Sequence, residues 1–556
     1  MKKLEIRPSR ANRPRNAFDL SQRHMFTAPV GALLPVLSLD LIPHDHVEIN
    51  AQDFMRTLPM NSSAFMSLRG VYEFFFVPYA QLWHPFDQFI AGTNDFRSNY
   101  FGNASIPTAV PSCPRETLFK EILKISPTNT PTGQPLPYDI FGFSRQENCL
   151  RLLDLFGYGY PVRAKTNKGY LTNHFNGSVT PLRAAAYQKI YSDFYRNNIY
   201  EPYDVASFNF DNSSSSFPAD KFVNMLQLRY RNHGLDYLTN LRPSPLFSSP
   251  QIQGLQQALA VSSSSSKLGA VTGDKTSVAL AAGGPLITTS SIRGAFALDK
   301  LLSISMRAGR TYAEQVEAHF GVKVSEGRDG QVYYLGGFDS NFETGDVTQT
   351  GGTTDEGSDN AGYLGRVVGK SIGTGKGSVT FDAKEHGILM CIYSALPAMQ
   401  YDSSRVDPFV HKTSRGDFFI PEFENLGMQP LMDFNITDHS NDEPSATTDD
   451  LKFSGGHPLG WQLRYSEYKT AIDVNHGQFG YSGPLSFWTI SRNRALSDTF
   501  AGGSLSISDL KVSPKCVDSV FAVNYNGKQV TDQLFGGCYF GVTKISDMSV
   551  DGLPRV

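Results

Sequence analysis

The chain has 556 residues, 40% of them hydrophobic and 12% aromatic, with a formal net charge of −3. That is ample apolar material for a sizeable core, which excludes a disordered chain, and the near-neutral balance excludes a uniformly basic nucleic-acid binder. Thirty-nine Phe, 25 Tyr, 49 Gly and 32 Pro favour strands joined by long loops.

The charge is uneven. "RPSRANRPR" (7–15) opens the chain, and the first 23 residues hold Lys2, Lys3, Arg7, Arg10, Arg13, Arg15 and Arg23 against only Glu5 and Asp19. Pro8 and Pro14 disfavour helix, so residues 1–28 read as an extended basic arm, and these seven cations are its candidate nucleic-acid ligands. Residues 29–556 read as one domain with insertions.

"VGALLPVLSLDLI" (30–42) is too short and too broken by Pro35 and Asp40 to span a membrane, and no apolar run of about 18 residues occurs, so no membrane insertion is expected. "RGVYEFFFVPY" (69–79) predicts a buried strand, followed by a short helix in which Leu82, Phe86, Phe89 and Ile90 recur at helical spacing. "ENCLRLLDLFG" and "LRAAAYQKIYSDFYR" predict two more helices; Tyr187, Tyr191 and Tyr195 fall at i, i+4, i+8, a stripe expected to pack in the core.

Residues 203–291 read as a variable surface excursion, dominated by "SSSSS", "GAVTG" and "AAGGP". Helical patterning resumes at "IRGAFALDKLLSISMRAG". "TYAEQVEAHFG" then shows a capping box of Thr311 with Glu314 and a terminating Gly321. A Gly/Thr-rich loop is expected over about 340–377. Beyond it "SVTFDA", "GILMCIYSAL", "SFWTISR", "SVFAVNYNGKQV" with its Asn526-Gly527 turn, and "CYFGVTKISDMSV" read as strands. Strands on both sides of long insertions imply an antiparallel sandwich assembled from distant parts of the chain.

Chemical motifs are faint. "LGRVVGKS" (364–371) approaches a phosphate loop, but Leu364 stands where the first glycine belongs and Gly373, Gly375 and Gly377 oppose a following helix. "HDH" (44–46) and "YSEYK" (465–469) echo the metal strand and nucleophilic tyrosine of rolling-circle replication nucleases, with Asp45 where an apolar residue is needed. The five cysteines, Cys113, Cys149, Cys391, Cys516 and Cys538, form no CxxC pair, and their odd number argues against a disulfide framework and for a reducing compartment. No catalytic residue, metal ligand or cofactor is assigned.

"RGVYEFFFVPYAQLWHPFDQFI", "FALDKLLSISMRAGRTYAEQVEAHFGVKV", "EHGILMCIYSALPAMQYD" and "GWQLRYSEYKTAIDVNHGQF", in this order, resemble the major capsid protein of the Microviridae, nearest its gokushovirus-like branch. The resemblance implies a mainly β fold, a viral jelly-roll β-sandwich with long helix- and loop-containing insertions. It implies a non-enzymatic structural subunit of a sixty-copy T=1 virion capsid, assembled in the bacterial host cytoplasm around circular single-stranded DNA. Other phage structural proteins and a host cell-surface receptor are the further partners it implies. Within that expectation the basic arm meets the genome, the 203–291 excursion faces the host, and Phe418 and Phe419 in "GDFFIPEFENLG" are candidate subunit-interface residues. The alternative function is a rolling-circle replication nuclease of the same kind of phage.

Overall fold

The computed structural model of the chain describes residues 15–58, 60, 67–91, 108–125, 145–162, 170, 172–211, 215–243, 289–307, 312–323, 330–348, 367–424, 427–438, 458–480, 483–492, 511–512, 514–517, 520–521, 524–525, 528–529 and 532–550. Nine strands form one antiparallel sheet: β1 (Asn16–Asp19), β2 (Gln22–Ala28), β3 (Leu34–Leu41), β4 (His46–Thr57), β5 (Leu68–Pro78), β6 (Tyr333–Thr348), β7 (Val367–Asp382), β8 (Gly387–Pro397) and β9 (Leu534–Ser546). Their order is β3-β8-β5-β6-β7-β4-β9-β1, with β2 also paired to β9.

Strands remote in this order nevertheless face each other. Phe26 on β2 meets the Tyr393 ring on β8 at 5.2 Å, and Phe74 on β5 meets Phe540 on β9 at 6.5 Å. The sheet therefore curls until its two halves enclose one core, the jelly-roll sandwich expected from sequence. Period-two alternation builds the inner wall: on β4 Val47, Ile49, Ala51 and Met55 are buried while their neighbours face out. β5 and β8 are buried almost throughout. Phe74 and Phe76 face the sandwich, whereas Phe75 packs outward against Phe194 and Tyr195, so strands covered on both faces read as unbroken apolar runs.

That outer cover is a helical layer inserted between β5 and β6. It contains α1 (Tyr79–Leu82), α2 (Phe86–Ala91), α3 (Arg115–Lys124), α4 (Arg145–Leu155), α5 (Leu182–Ile190, continued by a π turn over Tyr191–Tyr195) and α6 (Ala219–Met225). Tyr187, Tyr191 and Tyr195 are buried, as their spacing predicted. The Tyr187 hydroxyl donates to the Leu33 carbonyl (2.9 Å) and accepts from the Arg229 amide (2.9 Å), tying α5 to the sheet. Two further helices, α7 (Thr289–Arg307) and α8 (Tyr312–Phe320), pack on each other, and Gly321 ends α8 at φ +70 as expected. Thr311, half of the expected capping box, lies outside the described residues.

Several expectations are corrected. Residues 16–28 are not arm: they form β1 and β2, hydrogen-bonded to β9. The surface excursion does not begin at 203, because Phe208, Phe210, Phe217, Phe222, Leu226, Leu228 and Tyr230 are buried; residues 244–288 of it lie outside the described residues. The expected loop at 340–377 is largely the paired strands β6 and β7, with 349–366 outside the described residues. "SFWTISR" holds a 3-10 turn at Ser486–Trp488 instead of a strand. The single helix expected at 82–90 is two, divided where Pro85 interrupts. Asn524 and Tyr525 pair with Gln529 and Lys528, the hairpin that Asn526-Gly527 signalled.

Gly373, Gly375 and Gly377, which the sequence offers only as helix breakers, have a positive role on β7. A Cβ at Gly373 would stand 2.9 Å from the Phe342 ring, and one at Gly377 2.5 Å from Phe338. Gly373 and Gly377 thus leave room for rings of the neighbouring strand to lie close against β7.

Candidate functional site

Lys2, Lys3, Arg7, Arg10 and Arg13 lie outside the described residues. Arg15 marks where the chain joins the sandwich. Its guanidinium donates to the His44 carbonyl (2.6 Å) and lies 3.5 Å from the Asp547 carboxylate, which His44 Nδ1 also approaches at 2.9 Å. Arg15 is thus held by the β3–β4 turn and the chain just beyond β9. Arg23 sits exposed on β2, opposite Tyr539.

The three residues of "HDH" point to separate partners. His44 adopts φ 76 in the turn and pairs with Asp547, Asp45 is buried against Lys544 (2.7 Å), and His46 pairs with Asp382 (2.7 Å). Tyr465, also at positive φ, is buried, with its hydroxyl accepting from the Ile420 amide at 3.3 Å. Among the described residues no group of three or more His, Cys, Asp or Glu is placed to hold a metal ion. Lys370 and Ser371 of the phosphate-loop echo lie on β7 opposite Gly345 and Thr344, where no helix follows to supply amides.

The most conspicuous surface is aromatic. Phe418 and Phe419 are 54% and 44% exposed, and Phe419 meets the Tyr465 ring edge-on at 4.9 Å. Phe409 meets Tyr468 at 5.1 Å, and the Lys412 ammonium sits over both rings, 4.6 and 4.0 Å from their centroids, while pairing with Glu467 at 3.3 Å. Arg464 lies over Tyr465 (5.2 Å) and Phe423 (5.8 Å). Exposed Val410 adjoins them in the chain. Apart from the main core, a smaller buried cluster joins Leu238, Leu241, Tyr401, Leu431, Ile436 and Leu459. Rings with cations between them and a polar rim have the composition of a protein interface. Sequence reasoning named Phe418 and Phe419 but missed Phe409 and Tyr468. The interleaving of Tyr and Lys in "YSEYK" was the available signal.

A cleft of about 400 Å³ opens beside the π turn, lined by Glu73, Phe75, Phe194, Tyr195, Arg231, Asn232 and Tyr334. Arg231 donates to Glu73 (2.7 Å) and to the Ser394 hydroxyl (3.1 Å), and the Tyr195 hydroxyl donates to Glu73. Burial and the adjacent Glu73 push the Tyr195 phenol far above its ordinary range. Its charges are paired across the helix–sheet junction, which makes this a structural clamp.

The model for the capsid protein (F protein) family matches residues 6–118 and 162–556. Capsid protein VP1 of Chlamydia phage 1 is 29% identical over 251 residues, 43% of this chain and 40% of that protein. Capsid protein VP1 of Bdellovibrio phage phiMH2K is 28% identical over 209 residues, 37% of this chain and 36% of that protein. The matched stretch spans about two-fifths of the length of these curated relatives, whose names are those of structural proteins and not of enzymes. With a family match over most of its length and a curled antiparallel sandwich to carry it, the chain belongs to the phage capsid protein (F protein) family.

Proposed function

We propose that this chain is the structural subunit of an icosahedral T=1 phage shell, in which sixty copies enclose circular single-stranded DNA. The observation that carries the proposal is the family match from residue 6 to 556, interrupted only at 119–161. The exposed platform of Phe409, Phe418, Phe419 and Tyr468 supplies a surface suited to contact between copies. Residues 1–14, which join the sandwich at Arg15, supply cations that can neutralise packed phosphate without reading sequence. Residues 244–288 are proposed as the host-facing part of the insertion, narrowed from 203–291 because 215–243 packs into the body. Other phage structural proteins and a host cell-surface receptor complete the proposed partners, with assembly in the host cytoplasm.

Sedimentation velocity with electron microscopy of the purified chain tests the reading. Pentamer-sized or larger assemblies are expected. A strictly monomeric protein that nicks single-stranded DNA in a metal-dependent manner would overturn it in favour of a replication nuclease.

A further inference from the structure

Among the inward-facing residues of β4 one is ionisable: Asp53, 6% exposed, between Ala51 and Met55. Its side chain leans across β7, and a Cβ at Gly375 would stand 2.9 Å from Asp53 Oδ1 and 3.1 Å from Ser340 Cα on β6. Glycine at 375 thus leaves the space through which a carboxylate on β4 reaches a hydroxyl two strands away. The Ser340 hydroxyl and the Gly375 amide approach it, yet neither carboxylate oxygen has a hydrogen bond of ordinary geometry. The hydroxyls of Ser340, Tyr72 and Tyr393 are likewise buried and unpartnered. Tyr72 and Tyr393 lie ring to ring at 4.7 Å, and both feel the Asp53 charge. These four side chains come from β4, β6, β5 and β8, so the polar cluster bridges the two walls of the sandwich.

The titratable groups facing it are Tyr72 on β5, Cys391 and Tyr393 on β8, and Cys538 on β9, all of which burial holds neutral. His24 on β2 takes its charge interaction from Asp154 instead. No cation among the described residues acts on Asp53.

We propose that Asp53 is a proton-operated latch: neutral in acid, when its carboxyl gains a proton to donate within the hydroxyl cluster, and charged without a counter-ion at neutral pH, when it loosens the sandwich. Burial lifts this carboxyl to about 6, so between the ordinary carboxylate range and that value the folded chain holds a proton the unfolded chain has released. The contribution of Asp53 to stability is therefore greatest below about pH 4, falls as pH rises through about 6, and levels off above. Two pH units of difference correspond to about a hundredfold in the folding equilibrium constant.

The test is denaturant unfolding of the full chain and of Asp53→Asn from pH 4 to 7.5, in which the difference between them cancels His24 and every other titrating group. The variant should gain about a hundredfold relative to the parent as pH rises across that range. Difference infrared spectra of the parent carrying 13C-labelled Asp give a second reading that needs no variant: a protonated-carboxyl band should disappear with a midpoint near pH 6. A parent-to-variant difference that stays flat with pH, or a chain whose labelled carboxyls are all ionised at pH 5, overturns the proposal.

Discussion

Asp45, in the turn between β3 and β4, is 1% exposed, and its carboxylate lies 2.7 Å from the ammonium of Lys544, itself 9% exposed on the last strand. The same carboxylate accepts the Ile42 amide at 2.9 Å. One buried ion pair thus fastens the beginning of the sandwich to its end. Removing one partner strands a charge in the core. Lys544→Met is expected to cost about 3 to 5 kcal/mol, and the double variant Asp45→Asn with Lys544→Met less than the single one. Equilibrium urea unfolding of the parent chain and the two variants checks this ordering.

Gly31 is held at φ +83, and a Cβ there would stand 2.4 Å from the Val512 carbonyl oxygen. Gly31→Ala combines backbone strain with collision against a segment hydrogen-bonded through Arg231, and is expected to cost about 2 to 3 kcal/mol. Gly234→Ala, with ordinary φ and open space around it, should stay within about 0.5 kcal/mol. Thermal melts of the two variants side by side provide the measurement.

The aromatic platform yields a separation between folding and assembly. Phe418 and Phe419 are mostly outside the core, so replacing both with Ser should leave the monomer's melting temperature nearly unchanged. Assembly should weaken by tenfold or more, on the order of the loss of one interface hot spot. Light scattering against protein concentration reads the shift, and unchanged assembly would remove this platform from the interface.

Arg15 differs from the arginines before it because it is already bound to the His44 carbonyl and Asp547. Changing Arg7, Arg10 and Arg13 to Gln should reduce the slope of log affinity against log salt for single-stranded DNA by about 2, at roughly 0.7 per phosphate contact. Arg15→Gln alone should leave the slope nearly unchanged while lowering stability. A salt titration of oligonucleotide binding for each variant distinguishes the two roles.

For the insertion, replacing residues 255–285 by a short Gly-Ser bridge should preserve assembled particles and abolish attachment to host cells. Particle yield and cell binding are scored separately, and loss of assembly would place the segment within the shell's own structure.

The aromatic strand at 69–79 and the tyrosine helix were legible because burial wrote itself into their spacing. β4 was not, since its inner face carries Asp53 and its leading turn holds His44 and Asp45, so charge masked a twelve-residue alternation. Residues 203–243 misled in the opposite direction. Their serines and prolines resemble a surface loop, yet Phe217, Phe222 and Leu226 close the helical layer, a long-range packing that local composition does not encode. The aromatic platform was only half visible because Phe409 and Phe419 meet through Tyr465 and Tyr468, more than forty residues later in the chain.

Whether this chain tiles a closed shell around single-stranded DNA is decided by an electron cryo-microscopy reconstruction of the DNA-containing particle that incorporates it. Sixty copies related by icosahedral symmetry are expected, with the root of the arm at Arg15 facing the nucleic acid and Phe418 and Phe419 covered by a neighbouring copy. Another copy number, an Arg15 corner on the outer surface, or a chain recovered only as a monomer would contradict this expectation.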